Sequence, residues 1–479
     1  MTQSDSKLDL LNSDLSKAKN FFINSLNKKS YSVHIYTHLD SDGLASGAIL
    51  GKALYRENIS FQISILKQLE REEIIKIAEN EGINDKFLIF SDFGSGQYLE
   101  LQDKIPKEIP YIILDHHLPQ KVIDKRDNKI KEIYLNSSPW HINPYFFGID
   151  GSNEVSSAGI CYCFVKILNK KNIDQSALAL VGAVGDIQNQ GSNNSFIGLN
   201  KLILEDAIKS DLVEILDDLN FSPIKPINEA IAYSSDIVMP GLSGNSSKTL
   251  KFLQKLGILT EDSKGNIKTL NDLTQDEKKK ISSAIIEYSS LKLDIEPAEI
   301  ISKLIINRYV LKKELIGSEL HDLSDFSNLL NSCGRSNNGS LGIAIAMGDR
   351  KMAYKKAQDQ LITYKKMISE ALCWIQEHNK VNSKEYIQYF FGEDIISENI
   401  IGTIASMLIF DKTGIIDKNK PIFGCAKREE DNVYKISARA HEEIVNKGLN
   451  LSEVIREALE LSEINALGGG HPPAAGSAR

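Results

Sequence analysis

A chain of 479 residues is too long for one ordinary hydrophobic core, so two or three domains are expected. With 42% hydrophobic and 25% charged residues the composition is that of a globular protein; no run approaches the roughly 18 apolar residues of a membrane span, and the polar, acidic first nine residues lack a secretory pattern. The net charge of −8 excludes a global positive field drawing the protein to nucleic acid, so any such contact must be local.

The periodicity predicts an amphipathic helix over residues 6–26, followed by apolar runs at 33–37, 87–90 and 111–114 that read as buried parallel strands. Directly behind them come His38-Leu39-Asp40-Ser41-Asp42-Gly43, then Asp92, then Asp115-His116-His117, with Gly185-Asp186 further on. Alternating strand and helix patterns over residues 1–205 imply a parallel sheet covered on both faces. Residues 206–315 carry helical periods with few strand signals, such as 271–291, broken by a Gly/Ser-rich loop at 240–247. Residues 316–479 open on a long helical stretch at 348–377 bearing Arg350, Lys351, Lys355, Lys356, Lys365 and Lys366, which suits a solvated face or a phosphate-tracking one. Strands return at 386–391, 421–426 and 434–438, and the chain closes on Gly468-Gly469-Gly470-His471-Pro472-Pro473. The fold class is therefore α/β: a parallel-sheet domain, a helical insertion and a smaller C-terminal α/β domain. Five cysteines without a paired framework suit a reducing cytoplasm, and Cys161 and Cys163, two apart on a helical segment, read as core residues.

Ligand sites in open α/β sheets gather at the carboxyl ends of strands, so these acidic and imidazole groups should share one crevice. In His38-x-Asp40-x-Asp42 an extended alternation puts three ligands on one side, with Gly43 letting the chain turn into the next helix. One cation takes His38 and Asp40, a second takes Asp42, His116 and Asp186, and Asp92 bridges them. Bridged pairs roughly 3.5–4 Å apart are the standard device for phosphoester cleavage, since they activate water and neutralise charge on the phosphorus oxygens. Carboxylate and imidazole ligands without thiolate suit Mn²⁺, then Mg²⁺, ahead of zinc. Singly, an Asp at a strand end can be a helix N-cap, and paired histidines can be one core and one surface residue. Four such stretches in this order favour a shared site.

On these stretches the chain resembles the DHH phosphoesterases. Residues His38 to Gly43 are similar to the family's first motif, Ser91-Asp92 to its second, Asp115-His116-His117 to its third and Gly182-Ala183-Val184-Gly185-Asp186 to its fourth. The resemblance implies that His38, Asp40, Asp42, Asp92, His116 and Asp186 are metal ligands, that Asp115 orients His116, and that His117 meets the scissile phosphate. Ile142-Asn143-Pro144 resembles a segment of the RecJ-like branch in which Asn143 lines the site. Residues 316–479 resemble the DHH-associated domain that closes over the cleft, with Gly468, Gly469, Gly470 and His471 as its glycine-histidine signature. Within it, Lys435-Ile436-Ser437-Ala438-Arg439 and Cys333-Gly334-Arg335 supply Arg439 and Arg335 to substrate phosphates. Surface ion pairs remain the alternative for both arginines, and a flexible turn for the glycines.

A helical section as long as 206–315 resembles the archaeal RecJ-like branch, which includes the GINS-associated nuclease and is related to a eukaryotic replisome scaffold. The implied function is a cytoplasmic, two-metal, single-strand-specific 5′ to 3′ exonuclease of DNA, with RNA as a further substrate, in replication or repair. GINS and the replicative helicase are its implied partners, with no membrane. Alternatives are a replisome scaffold with weak or vestigial activity, and a phosphodiesterase for short oligonucleotides or cyclic dinucleotides. The chain ends at Arg479 soon after the Gly-His motif, so a final strand is expected to be missing or short.

Overall fold

The computed structural model describes residues 3–124, 131–135, 140–234, 239, 241–293, 296–409, 415–428, 433–462, 466 and 468–478. Pro240 of the Gly/Ser-rich loop lies outside them. The chain divides into two compact units: Met1–Gln188, Gly198–Ile203 and Ser327–Arg479 form the first, and Asn189–Ile197 and Leu204–Phe326 the second.

In the first unit, helix α1 (Gln3–Lys28) precedes β1 (Ser32–His38), α2 (Ser41–Arg56), β2 (Phe61–Leu66), α3 (Arg71–Ala78), β3 (Lys86–Ser91), α4 (Tyr98–Lys104) and β4 (Tyr111–Leu114). A small hairpin of β5 (Lys121–Asp124) and β6 (Lys131–Tyr134) follows, then β7 (His141–Ile142), α5 (Ser157–Leu168), α6 (Ser176–Gly185) and α7 (Gly198–Lys209). The main sheet has the order β2-β1-β3-β4-β7, every pairing parallel. Alternation sends Tyr36, Leu88, Phe90 and Ile113 to a cluster with Ile74 and Ile77 of α3 and Tyr98 and Leu101 of α4. On the other face Phe87 meets Phe21 and Phe22 of α1. Both faces are apolar because both are covered, each buried large side chain contributing about 1.5–3 kcal/mol.

The second unit contains β8 (Val213–Leu219), α8 (Ile227–Ala232), α9 (Ser246–Lys255), α10 (Gln275–Leu293), α11 (Pro297–Leu304) and β9 (Ile305–Leu311). Its core joins Phe221, Ile231, Leu253, Ile281 and Leu304. The section is mainly helical, as expected; its strands β8 and β9 pair antiparallel over seven residues, Val213 with Leu311 through Leu219 with Ile305. Buried Arg308 of β9 donates to Asp322 (2.9 Å) and to the carbonyls of Leu219 and Phe221 (both 2.8 Å).

Helix α12 (Leu323–Arg335) leads back into the first unit, where α13 (Gly339–Met347) packs on α2 and α14 (Met352–Glu377) follows. Then come β10 (Asn382–Ser383), β11 (Gln388–Phe391), α15 (Ile401–Ile409), β12 (Ile422–Lys427), β13 (Tyr434–Arg439), α16 (Glu442–Val445), α17 (Leu451–Leu461), β14 (Gly468–His471) and β15 (Ala474–Ala478). They form a mixed six-stranded sheet of order β10-β11-β12-β13-β15-β14, in which the five-residue β15 pairs with both β13 and β14. An ion network ties this sheet to the parallel one: Lys67 to Glu398 (2.6 Å), Glu398 to Arg428 (3.1 Å) and Arg428 to Glu70 (3.2 Å). Among the described residues no helix is long and apolar enough to cross a membrane.

Candidate metal centre

The carboxyl ends of β1, β3 and β4 bring the first three acidic stretches together, and the C-terminus of α6 brings the fourth. After His38 the chain does not stay extended, as the alternation suggested. Asp40 is the N-cap of α2, accepting the Gly43 N–H at 3.0 Å, and Asp42 sits in the first helical turn. Gly43 serves close approach rather than turning, since a Cβ there would lie 2.3 Å from the His38 carbonyl oxygen. Buried Asp42 accepts the N–H groups of Ser157 (2.7 Å) and Ala158 (3.0 Å) at the start of α5, whose dipole favours an anion. Gly182 of α6 passes so near that a Cβ on it would lie 2.4 Å from Asp42 Oδ1.

Asp92 lies one residue past β3 with φ +65°, a left-handed conformation strained for any residue with a Cβ. It caps no helix: both carboxylate oxygens are buried without a hydrogen-bond partner. Asp186 is the C-cap of α6, where the dipole disfavours an anion. His116 Nε2 lies 3.1 Å from Asp186 Oδ2, 3.5 Å from Asp92 Oδ1 and 3.9 Å from Asp42 Oδ2, again without a hydrogen bond of good alignment. His38 Nδ1 lies 2.8 Å from Asp40 Oδ2 and 3.5 Å from Asp92 Oδ2. Asp42, Asp92, His116 and Asp186 thus form one group able to hold a cation, and His38, Asp40 and Asp92 a second, with Asp92 common to both.

The electrostatics mark the same place. Burial, then repulsion from Asp92 and Asp186, pushes the Asp42 carboxyl well up, and burial raises Asp186. Burial pulls His38 down, but Asp40 and Asp92 outweigh it and push it up to about 10. Carboxylates this crowded and this dry call for compensating positive charge.

The imidazole supports differ from expectation. His116 Nδ1 lies 2.7 Å from the Gly151 carbonyl, which can only accept, so Nδ1 carries the proton and Nε2 faces the carboxylates. Gly151, braced by Gln188 Nε2 (2.9 Å), therefore orients His116. Asp115 instead accepts from His117 Nδ1 (2.9 Å) and from the N–H groups of Ser95 (2.9 Å), His116 (2.8 Å) and His117 (3.2 Å). Burial opposes its charge, but His117, His116 and the Ser95 N–H hold its carboxyl well below the usual range. Fully buried Asn143 donates to Ser95 Oγ and the His117 carbonyl (both 2.8 Å) and accepts from Tyr145 N–H (3.0 Å). Its amide is spent bracing the His117 backbone rather than facing substrate. His141, hydrogen-bonded to Ser95 Oγ at 2.8 Å, extends that brace.

His471 of β14 stacks on His117 (centroids 5.0 Å, 24° between planes), with its Nδ1 3.1 Å from Ser152 Oγ. His38, Asp92, His117, Gly469, Gly470 and Arg456 line a cavity of about 220 Å³. Arg335 reaches the site because α12 passes extremely close to the first motif; a Cβ on Gly334 would lie 1.6 Å from the Leu39 carbonyl oxygen. Arg439 donates to Ser406 Oγ (2.7 Å) and its neighbour Ala438 carbonyl (2.8 Å), and Arg335 to the Asn399 carbonyl (3.3 Å). Burial and Arg335 press Arg439 down to about 10, and burial with Arg335 presses Lys435 down to about 8. These cations crowd one another, and neither arginine forms an ion pair among the described residues. The basic side chains of α14 are exposed and line no part of this cavity.

Three family models match the chain: the DHH family N-terminal domain over residues 32–184, the DHH-CID domain over 222–305 and the DHHA1 domain over 384–478. The uncharacterized protein MJ0831 of Methanocaldococcus jannaschii is 34% identical over 453 residues, 94% of this chain and 90% of that protein. The chain belongs to the DHH family. Among solved structures, CDC45 from Entamoeba histolytica is similar with a TM-score of 0.59 at 14% identity, covering 99% of this chain and 95% of that one. Exonuclease RecJ bound to manganese follows at 0.52 and 13%, covering 96% and 89%. RecJ in complex with Mn²⁺ from Thermus thermophilus gives 0.53 and 13%, covering 97% of this chain, which spans only 51% of that protein. At these identities the likeness is one of fold. The family makes the chain a phosphoesterase with a DHHA1 domain as its C-terminal sheet. What sequence reasoning missed in this DHH site is backbone: the Gly151 carbonyl and the Ser95 N–H leave no mark in side-chain spacing.

Proposed function

We propose that this DHH protein is a divalent-metal-dependent 5′ to 3′ exonuclease of single-stranded DNA, with RNA as a second polymer, acting in replication or repair beside GINS and the replicative helicase. The carrying observation is Asp92, a residue at φ +65° whose two buried oxygens form no hydrogen bond and which belongs both to the His38–Asp40 ligand group and to the Asp42–His116–Asp186 one. Oxygen-rich, thiolate-free ligation suits two Mn²⁺ ions, with Mg²⁺ next. Bound there, the cations supply Lewis-acid activation of water and neutralise charge on the phosphoryl oxygens. His38 and Asp40 hold one side and Asp42, His116 and Asp186 the other. Asp115 keeps the proton on His117 Nδ1, leaving Nε2 to meet the scissile phosphate together with His471. Arg335 and Arg439, neither in an ion pair among the described residues, hold a further phosphate. That solved relatives of this fold bind Mn²⁺ supports the choice of metal.

A replisome scaffold is the second reading, favoured by the likeness of fold to CDC45. The filled ligand set argues for activity. Digestion of 5′- and 3′-labelled DNA and RNA 30-mers and of a dinucleotide, with Mn²⁺, Mg²⁺ or Zn²⁺, separates the readings. Shortening from the 5′ end of single strands, abolished by Asp92→Ala, is expected. Intact strands with GINS captured in low salt establish the scaffold; turnover of the dinucleotide alone establishes a small-substrate phosphodiesterase.

A further inference from the structure

The cavity beside the metal cluster has a second wall whose chemistry the reading above does not use. Arg456 of α17 is the one Lys or Arg among the residues lining it. Its Nε donates to the Gly468 carbonyl at 3.2 Å, and its NH2 lies 3.9 Å from where a Cβ on Gly469 would stand. Glu453 and Glu460 occupy ion-pairing positions three residues before and four after it on α17, yet no ion pair forms with Arg456 among the described residues. A half-buried guanidinium therefore keeps its terminal NH1 and NH2 donors for something else.

The edge beside it is equally specific. A strand residue points its N–H and C=O the same way, and the direction alternates along the strand. The Ala440 N–H donates to the Pro473 carbonyl, which extends the β13–β15 register and makes Ala438 with Ala475 and Ile436 with Ser477 the hydrogen-bonded pairs. Ala474 and Gly476 then turn their groups toward β14, where they meet His471 and Gly469. By alternation Gly468 turns its groups away from the sheet, and its carbonyl is indeed found on Arg456, while Gly470, at φ +138°, departs from regular strand backbone. β14 is the last strand of its sheet, so among the described residues no strand lies beyond the Gly468 N–H. A bidentate cation next to an outward backbone donor, without side chains at three successive glycines, is the chemistry of a phosphodiester oxygen site.

We propose that Arg456 and the outer edge of β14 form a second phosphate subsite, separate from the Arg335–Arg439 cluster, which grips a phosphate of a polynucleotide strand other than the one at Asp92. This rests on the nucleic-acid reading above and makes the protein prefer strands over substrates with a single phosphodiester. Direct binding of a fluorescein-labelled oligothymidylate, with Ca²⁺ replacing Mn²⁺, tests it without hydrolysis, across a KCl series. Neutralising one phosphate fewer on a single strand flattens log K against log[salt] by about 0.7. Arg456→Ala and Arg456→Gln are expected to flatten it by that amount and weaken binding about tenfold, while Arg456→Lys keeps the wild-type slope. The Gln variant retains an amide donor for Gly468, so a merely bracing arginine would leave its slope unchanged. Wild-type slopes in both Ala and Gln variants, or a wild-type protein that binds no strand, overturn the subsite. Strand binding that depends on Arg456 without any cleavage in Mn²⁺ instead overturns only the exonuclease reading.

Discussion

Asp92 carries both the strain and the charge of this site. A φ of +65° costs a non-glycine residue about 1–2 kcal/mol, and its carboxylate adds repulsion on Asp42. Asn tolerates the same backbone without the charge. Asp92→Asn is therefore expected to raise stability in EDTA by on the order of 1 kcal/mol, to remove the Mn²⁺-induced rise in melting temperature, and to lower hydrolysis by about three orders of magnitude. Melting curves with and without Mn²⁺ check this; an undiminished Mn²⁺ shift would place the cation elsewhere. His34 offers a pH test away from the cluster. Burial, with Lys86 adding to it, presses this histidine down to about 4, so it stays neutral in the fold while the unfolded chain takes up a proton below about 6.5. Its share of stability is present above that pH and lost as pH falls toward 4, and urea midpoints of His34→Gln should show a flatter decline over this window. The ligand residues were legible in the sequence because their type and order carry the chemistry. The left-handed Asp92 was not, because backbone strain leaves no compositional trace.

Elements set where these side chains arrive. Parallel strands were readable at 33–37, 87–90 and 111–114 because strands covered on both faces are apolar throughout. Strand β8 was not: its Glu214, Asp217 and Asp218 mimic a solvated helix, and its partner lies 86 residues or more away in sequence. The fourth motif shows how an element can serve a site through what it lacks. Gly182 gives Asp42 the room to reach the start of α5, and Gly182→Ala is expected to cost about 1–3 kcal/mol and to weaken cation binding, read by calorimetric titration with Mn²⁺. Unchanged affinity would show that Asp42 moves freely or does not ligate.

At the scale of the molecule, one compact unit holds every group of the candidate centre, and the other is built around residues 204–326. The composition announced several domains, while the crossing of the chain from the first unit to the second and back was beyond periodicity, because contacts between distant segments define it. Replacing residues 220–304 with a two-residue turn joins Leu219 to Ile305, which already face each other. On the proposed reading, that variant is expected to keep hydrolysis of short single strands within a few-fold of wild type while losing the proposed capture of GINS. Loss of hydrolysis with the first unit still folded would assign the helical section to the reaction itself.

The same pairing has a mechanical side. Traction on residues 220–304 reaches Leu219 and Ile305 together, at one end of both β8 and β9. Load applied there peels the ladder one hydrogen bond after another, whereas load between Val213 and Ile305 strains all its bonds in shear. The two-stranded sheet is a zipper facing the helical section, yielding to a pull from that side at low force and resisting one along its length.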